Sequence, residues 1–534
     1  MRAEISAGEA LVGLLEEWGV STVFGIPGVH NVEMYRALPR SKITHILPRH
    51  EQGAGFMADG YHRATGKPGV CFTITGPGLT NILTPMGQAW SDSSAIFVLS
   101  TTLDILSGAQ GRGRLHEMIS QRTAASALTA HHWAALTPAD MQDAVSAAFN
   151  TMLSQRPRPC YLELPLDLLS QPAGPGWKAR GLARRASPDA DQVRQAAAKL
   201  AKAKNPVLLF GGGAVEAAAE AVALAEKLGA IVMTSVAGKG IVPSSHPLCL
   251  GTKMAQAEGK AVLQGADLVL AAGSEISETD LWALDFELKP ELIRIDIDPA
   301  SLGRPHAASI AMLADAKSAL AAIVNALPAA DVSARRKANE AMVRDFHAAE
   351  PAREDDLRKS LRSILEVIRK ALPADTVICS DMTQIAYAAN EIFPMEVPRA
   401  WIHPVGFGTL GFALPASIGA KAGLPDRPVV ALAGDYGFQY TANELGTAAE
   451  AKMGLPILLW NNDALGQIRD DMVSKGIEPN AVTLRNPDFQ ILAKAYGCDC
   501  VRPATLEELA AIINLSLKRD KPTLIEMTPR MLRK

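Results

Sequence analysis

The sequence predicts an α/β protein made of three doubly wound parallel-sheet domains. Three observations carry this. Short apolar runs such as Pro206 to Phe210, Val429 to Ala433 and Pro456 to Trp460 lack period-two alternation, as strands covered by helices on both faces do. Alanine- and leucine-rich helical stretches separate these runs, and several of them end in glycine turns, as at Gly25-Ile26-Pro27-Gly28, Gly76-Pro77-Gly78, Gly211-Gly212-Gly213 and Gly434-Asp435. The 534 residues also exceed what one hydrophobic core can serve.

Taken in order, an amphipathic helix over 4–19 (Leu11, Leu14, Leu15 and Trp18 at helical spacing) leads to a strand from Val20 to Phe24. A short strand from Ile43 to Leu47 then delivers Arg49-His50-Glu51, and Glu51 heads a helix that Gly66-Lys67-Pro68-Gly69 stops. Further strands are expected from Val70 to Thr75, Ala95 to Ser100 and Pro159 to Leu164, closing a first domain over 1–170. Residues 171–188, rich in Pro, Gly and Arg without periodicity, read as a linker. A central domain over 189–330 follows, whose three glycines 211–213 form a tight turn first and a nucleotide site second. The charged stretch 331–360 reads as a solvated helical connector. The third domain, 361–534, holds strands from Thr376 to Cys379, Pro428 to Ala433, Pro456 to Trp460 and Pro522 to Glu526, with one helix from Asn443 to Lys452. The first and third domains are candidate structural echoes of each other.

Composition narrows the function. With 48% hydrophobic and 20% charged residues and a net charge of −3, the chain has no electrostatic case for nucleic acid or an anionic membrane. No apolar run reaches membrane-spanning length, and the N-terminus lacks a signal-peptide layout. The six cysteines form no CxxC pair and read as free thiols. Reduced, soluble and cytoplasmic is the expectation.

Its chemistry centres on two stretches. In a parallel sheet the carboxyl ends of neighbouring strands share one edge, where ligands of open α/β sheets bind. Asp435 and Asn462 each follow a strand and can meet there. A carboxylate, an amide oxygen and nearby carbonyls form the hard oxygen set that suits Mg²⁺ holding a diphosphate. The other stretch runs from Arg49-His50-Glu51-Gln52-Gly53 to Gly76-Pro77-Gly78-Leu79-Thr80-Asn81, with Glu51 at a helix start. Standing alone, Glu51 would read as a surface acid favoured by the helix dipole.

Together these stretches resemble the thiamine-diphosphate enzymes, specifically the acetolactate synthase and 2-oxo acid decarboxylase group. The resemblance implies thiamine diphosphate and Mg²⁺ as cofactors. It makes Glu51 the carboxylate against N1′ of the aminopyrimidine, and Pro27, Gly78, Asn81 and Gln384 cofactor contacts. The carbonyl of Gly408 would hold the 4′-amine, and Leu410 would prop the cofactor bent. Gly434, Asp435, Tyr436, Gly437 and Asn462 would take the diphosphate, with Asp435, Asn462 and the carbonyl of Ala464 on the metal. It also implies a homodimer or homotetramer whose catalytic sites pair the first domain of one subunit with the third of another.

Departures from the family pattern point to the substrate. Tyr436 replaces a motif glycine, so its side chain must find room. His116 stands where acetolactate synthases place a glutamine, Asp471 where they place a substrate-selecting tryptophan, and Ala130 where they carry a lysine. His30 and His116 are candidates to orient a substrate carboxylate or supply a proton. The adjacent pair His131 and His132 reads as structural. Asp470 and Asp471, on a helix after Asn462, would favour a cationic side chain. In the runs Gly-Arg-Leu-His-Glu117 and Asn461-Asn-Asp-Ala-Leu-Gly-Gln-Ile-Arg469 the chain is similar to decarboxylases of 5-guanidino-2-oxopentanoate (2-ketoarginine). The expected reaction is therefore non-oxidative decarboxylation of that 2-oxo acid to 4-guanidinobutanal, with an acetolactate synthase-like carboligation as the alternative.

Overall fold

A computed structural model describes residues 5–106 and 110–532. Three parallel six-stranded sheets carry the chain. The first is built from β1 (Thr22–Gly25), β2 (Thr44–Ile46), β3 (Gly69–Thr73), β4 (Ile96–Thr102), β5 (His131–Ala134) and β6 (Cys160–Pro165), in the order β2-β1-β3-β4-β6-β5. The central sheet uses β7 (Pro206–Phe210), β8 (Ile231–Thr234), β9 (Cys249–Gly251), β10 (Leu268–Ala272), β11 (Glu291–Asp296) and β12 (Ile310–Leu313), in the order β12-β11-β10-β7-β8-β9. The third uses β13 (Val377–Ser380), β14 (Trp401–Ile402), β15 (Val429–Gly434), β16 (Pro456–Trp460), β17 (Asp499–Val501) and β18 (Thr523–Met527), in the order β14-β13-β15-β16-β18-β17. The strand order of the first sheet is thus repeated, strand for strand, in the third.

The helices that position the site are α1 (Ala7–Glu17), α2 (Glu51–Thr65), α3 (Pro77–Ser91), α4 (Ser333–Ala349), α5 (Asp356–Ala371), α6 (Gln384–Ile392), α7 (Ala413–Gly423), α8 (Asp435–Gln439), α9 (Glu444–Glu450) and α10 (Gly466–Ser474). Helices α2 and α7 follow equivalent strands, β2 and β14, and pack face to face. A Cβ at Gly60 would strike the carbonyl of Ala416, and one at Gly419 that of Met57, so each helix uses a glycine to admit the other's backbone. One buried cluster, including Phe56, Met57, Phe412 and Leu414, runs across this contact and fuses the first and third domains.

Several elements differ from expectation. The strands β5, β9, β12 and β17 are only three or four residues long, too short to stand out in the sequence. The charged stretch is helical but not simply solvated: α4 buries Val343 and Phe346 against the central sheet. Helix α5 runs on to Ala371, burying Leu361, Ile364, Leu365 and Ile368 at its 3.6-residue period. In place of one helix from Asn443, the strand ending at Gly434 passes directly into α8, and a second helix, α9, starts at Glu444. The break between them is held by Thr441, whose hydroxyl donates to the carbonyl of Gly411 at 2.8 Å.

Candidate active site

At the carboxyl edge of the first sheet, four strand ends bring together Pro27 and His30 (after β1), Glu51 (after β2), Gly78 and Asn81 (after β3) and His116 (after β4). Glu51 is 8% exposed, which removes the surface-acid reading. Its Oε2 accepts from Asn81 Nδ2 at 2.9 Å, tying the start of α2 to the first turns of α3. The β1 turn is pinned by a residue that sequence reasoning overlooked. Fully buried Asn31 accepts from Gly28 N at 2.7 Å and donates to the carbonyl of Ile26 at 3.1 Å.

The rings of His30 and His116 meet edge to face with centroids 4.8 Å apart, and both Nδ1 atoms are buried with no hydrogen-bond partner among the described residues. Burial, then the neighbouring His116 and Arg114, hold the His30 imidazole below its ordinary pKa, which favours its neutral form. His116 has φ +62, and Gly76 (φ +68) lies so close that a Cβ there would stand 2.6 Å from the His116 carbonyl. Only glycine fits that approach, which fixes where the His116 loop crosses the sheet edge. His131 and His132 lie on the edge strand β5, exposed and away from this group.

The matching edge of the third sheet gathers Gln384 (after β13), Gly408 and Leu410 (after β14), Gly434 and Asp435 (after β15) and Asn462 and Ala464 (after β16). Asp435 is buried, and desolvation pushes its carboxyl above the usual aspartate range. Its Oδ1 accepts from Tyr436 N at 2.9 Å and its Oδ2 from Asn486 Nδ2 at 2.8 Å. That same amide nitrogen lies 2.9 Å from Asn461 Oδ1 and 3.1 Å from Asp463 Oδ1. Three oxygens thus surround an amide with two hydrogens, a surplus of acceptors that a cation relieves. Helix α6 begins without a side-chain cap, so its first N–H groups are available to an anion, whereas in α8 the N–H of Tyr436 is taken by Asp435 Oδ1. Both features fit a metal-bound diphosphate. Among the described residues no cluster of three His, Cys, Asp or Glu could hold a metal, so amide and carbonyl oxygens must complete such a shell.

Asn462 Nδ2 donates to Gln384 Oε1 at 3.0 Å, and Gln384 Nε2 donates to Asp470 Oδ2 at 3.0 Å. Arg469 takes the other oxygen of Asp470. Asp470 is therefore bound into the Asn462 network, whereas Asp471 is exposed on α10, where its Oδ1 accepts from Gln467 Nε2 at 3.2 Å. Tyr436 finds its room by packing edge to face on Tyr440, ring centroids 5.4 Å apart. Asp381 lies beneath the turn that carries Leu410. Burial pushes its pKa up to about 6 while the backbone N–H groups of Met382, Gly411, Phe412 and Ala413 oppose the shift. Gly408 has φ +65, and Leu410 is half-buried.

A cavity of about 420 Å³ lies elsewhere, between the carboxyl edge of the central sheet, the first domain and the third-domain stretch 399–406. Arg156 spans it, pairing with Glu275 at 2.8 Å and Asp298 at 3.3 Å.

Comparison with known proteins agrees with this geometry. Residues 5–124 match the N-terminal TPP binding domain of thiamine pyrophosphate enzymes, 193–323 their central domain and 381–527 their C-terminal TPP binding domain. The chain belongs to the thiamine pyrophosphate enzyme family. Over 98% of its length it is 46% identical to the probable 2-ketoarginine decarboxylase AruI of Pseudomonas aeruginosa, covering 94% of that protein. It is 33% identical to the acetolactate synthase large subunit of Corynebacterium glutamicum (98% of this chain, 86% of that one). With the acetolactate synthase isozyme 1 large subunit of Escherichia coli the identity is 31% (98% and 94%). The two TPP binding matches fall on the two sheets of identical strand order, and the thiamine-type family expectation is met. No helix among the described residues is long and apolar enough to cross a membrane.

Proposed function

We propose that this enzyme decarboxylates a 2-oxo acid carrying a guanidinium, 5-guanidino-2-oxopentanoate, to 4-guanidinobutanal and CO₂, using thiamine diphosphate and Mg²⁺. The observation that carries the reading is the buried Glu51, held by Asn81 on the same sheet edge as the paired imidazoles of His30 and His116. Bound thiamine diphosphate supplies a carbon nucleophile and an electron sink for the pair of electrons left when CO₂ departs.

The chain's own residues do the rest. Glu51 exchanges a proton with N1′ of the aminopyrimidine, and Asn81 fixes its direction. The Gly408 carbonyl would accept from the 4′-amine, and Leu410 would pack against the cofactor. Asp435, Asn462 and the Ala464 carbonyl hold Mg²⁺, while Gly434, Tyr436, Gly437 and Gln384 face the diphosphate, with Pro27 and Gly78 lining the pyrimidine end. His30, in contact with His116, would orient the substrate carboxylate and, taking a solvent proton at one ring nitrogen as it gives one from the other, would pass a proton to the carbon that CO₂ leaves, which favours aldehyde release over carboligation. Asp471 is the exposed acid on the helix after the metal loop and pairs with the guanidinium; Asp470 supports Gln384 instead.

The partner expectation is carried forward as part of this reading. Exposed apolar side chains flank both edges, Val29, Leu115 and Ile119 on the first domain and Phe407, Ile468 and Val473 on the third. Such surface is what a second copy of the chain would cover.

Offering 2-ketoarginine, pyruvate and benzoylformate side by side, with thiamine diphosphate and Mg²⁺, tests the reading through CO₂ and aldehyde yields. The expected order puts 2-ketoarginine first. Asp471→Asn should lower its kcat/KM by roughly 10–10²-fold, the worth of a charge-assisted hydrogen bond. Equal turnover of pyruvate with formation of acetolactate would favour carboligation, to which the 31–33% identity with acetolactate synthases lends weight. A second expectation concerns Asn486. Asn486→Ala should weaken Mg²⁺ binding by roughly 10–100-fold, as loss of a group that orients metal ligands does, with apo stability near wild type. Magnesium titration of cofactor binding measures this.

A further inference from the structure

We propose that Glu444 and Asp92 are a matched pair of positioning residues, each clamping the loop through which the opposite domain presents a working group. The inference rests on the roles given above to Glu51, Gly408 and Leu410. Glu444 is wholly buried in the third domain. Its Oε1 accepts two consecutive first-domain N–H groups, Arg49 at 3.0 Å and His50 at 3.1 Å, immediately before Glu51. Asp92, in the first domain, does the same in reverse. Its Oδ2 accepts from Val405 N at 3.0 Å and its Oδ1 from Gly406 N at 2.7 Å, just before Gly408 and Leu410.

The correspondence follows the repeated sheet. The clamped loops follow the equivalent strands β2 and β14, and the two carboxylates come from the crossovers after the equivalent strands β3 and β15. Each clamp has its own glycine. A Cβ at Gly53 would overlap the Glu444 carboxylate, and one at Gly406 would overlap the Ser91 hydroxyl and stand 3.0 Å from Asp92 Oδ1. Each is also buttressed. The one hydrogen of the Thr447 hydroxyl is shared between Glu444 Oε2 at 2.6 Å and the Leu47 carbonyl at 3.2 Å. Gln88 donates to Asp92 Oδ2 at 2.7 Å and accepts from Thr409 N and Oγ1, while Arg63 donates to Asp92 and to the His403 carbonyl. Simple glue between domains has no need to end, on both sides, one or two residues short of a working group.

The two clamps predict different losses. Without Glu444, Glu51 shifts relative to N1′, so proton loss from C2 of bound thiamine diphosphate slows while the diphosphate is still held. Without Asp92, the loop of Gly408 and Leu410 loosens and cofactor affinity falls. In the full-length protein, Glu444→Leu should slow C2 hydrogen–deuterium exchange at saturating cofactor by roughly 10²-fold, the cost of about 1 Å of misplacement. In the apo protein, amide exchange at 47–55 should quicken. Glu444→Gln should restore both, because its carbonyl oxygen can take the place of Oε1. Gly53→Ala, which displaces the carboxylate without removing it, should copy the leucine variant. Asp92→Asn should raise the cofactor Kd by roughly tenfold or more yet leave C2 exchange at saturation near wild type.

Thr447→Val is the control, weakening the same contact while leaving the acceptor in place. If the Glu444 and Asp92 variants only lower Tm, with exchange rate and Kd unmoved, the residues are glue and the proposal falls. Glu51→Gln run alongside separates the two readings. Normal C2 exchange in that variant would remove Glu51 from its role, and amide exchange at 47–55 would still decide whether Glu444 clamps the loop.

Discussion

Glu51→Gln should lose decarboxylation by roughly 10³-fold, within the 10²–10⁴ range of a positioned acid–base group, while the protein folds and holds its cofactor. Glutamine fills the same buried volume, and its carbonyl oxygen can still accept from Asn81, which turns the amide NH₂ toward the pyrimidine. A group that cannot release a proton then faces N1′. The structural cost is small by comparison. An acid in the first turn of a helix contributes about 0.3–1 kcal/mol through the dipole, so Tm should fall by only a few degrees. A loss of rate so much larger than the loss of stability cannot come from unfolding. Single-turnover rates alongside thermal denaturation make the comparison, and activity within tenfold of wild type would remove Glu51 from the mechanism.

The parts of this site that were legible in the sequence are those where chemistry is written into one short stretch. Gly434-Asp435 and Asn462 stand at the ends of apolar runs, and parallel strands place such ends on one edge whatever the rest of the chain does. Glu51, Asn81, His30 and His116 were legible in the same way, each following its own strand. The contact between the two imidazoles was not, because nothing in the chain says that the loops after β1 and β4 lean together.

The supporting groups were illegible for a different reason. Asn486 reaches Asp435 across 51 positions, and Glu444 reaches Arg49 across 395. Neither residue type nor local pattern distinguishes them from an ordinary loop amide or a helix acid. Asp470 and Asp471 looked alike in sequence; one helix step decides that Asp470 meets Gln384 while Asp471 remains exposed. The repeat of strand order between the first and third sheets has a similar lesson. Topology is set by which apolar runs pair, and two sheets can share it with little sequence in common. That shared topology brings α2 against α7, and so ties the elements presenting Glu51 and Leu410 to each other.

Asp435→Asn should sharply weaken cofactor binding and, in the apo protein, cost no stability. Removing one partner of a buried, hydrogen-bonded charge pair costs about 2–5 kcal/mol, so the affinity for Mg²⁺ and thiamine diphosphate should fall by roughly two to three orders of magnitude. The apo effect has the opposite sign. Burial raises the folded pKa of Asp435 above its unfolded value, so the folded state holds the proton more tightly than the unfolded one. Its contribution to stability is complete below the unfolded pKa and is lost as pH rises through the folded pKa. Toward higher pH the apo protein therefore carries a desolvated carboxylate at net cost, which a neutral amide of the same shape removes. The asparagine variant should match or exceed the apo wild type in Tm at pH 7, and the difference should shrink as pH falls toward the usual aspartate range. Added Mg²⁺ and thiamine diphosphate should reverse the ranking, because only the wild type gains from binding. Thermal melts at two pH values, with and without cofactor, read all four states. A variant less stable than wild type when apo, yet equally stabilised by cofactor, would show that Asp435 holds the fold rather than the metal.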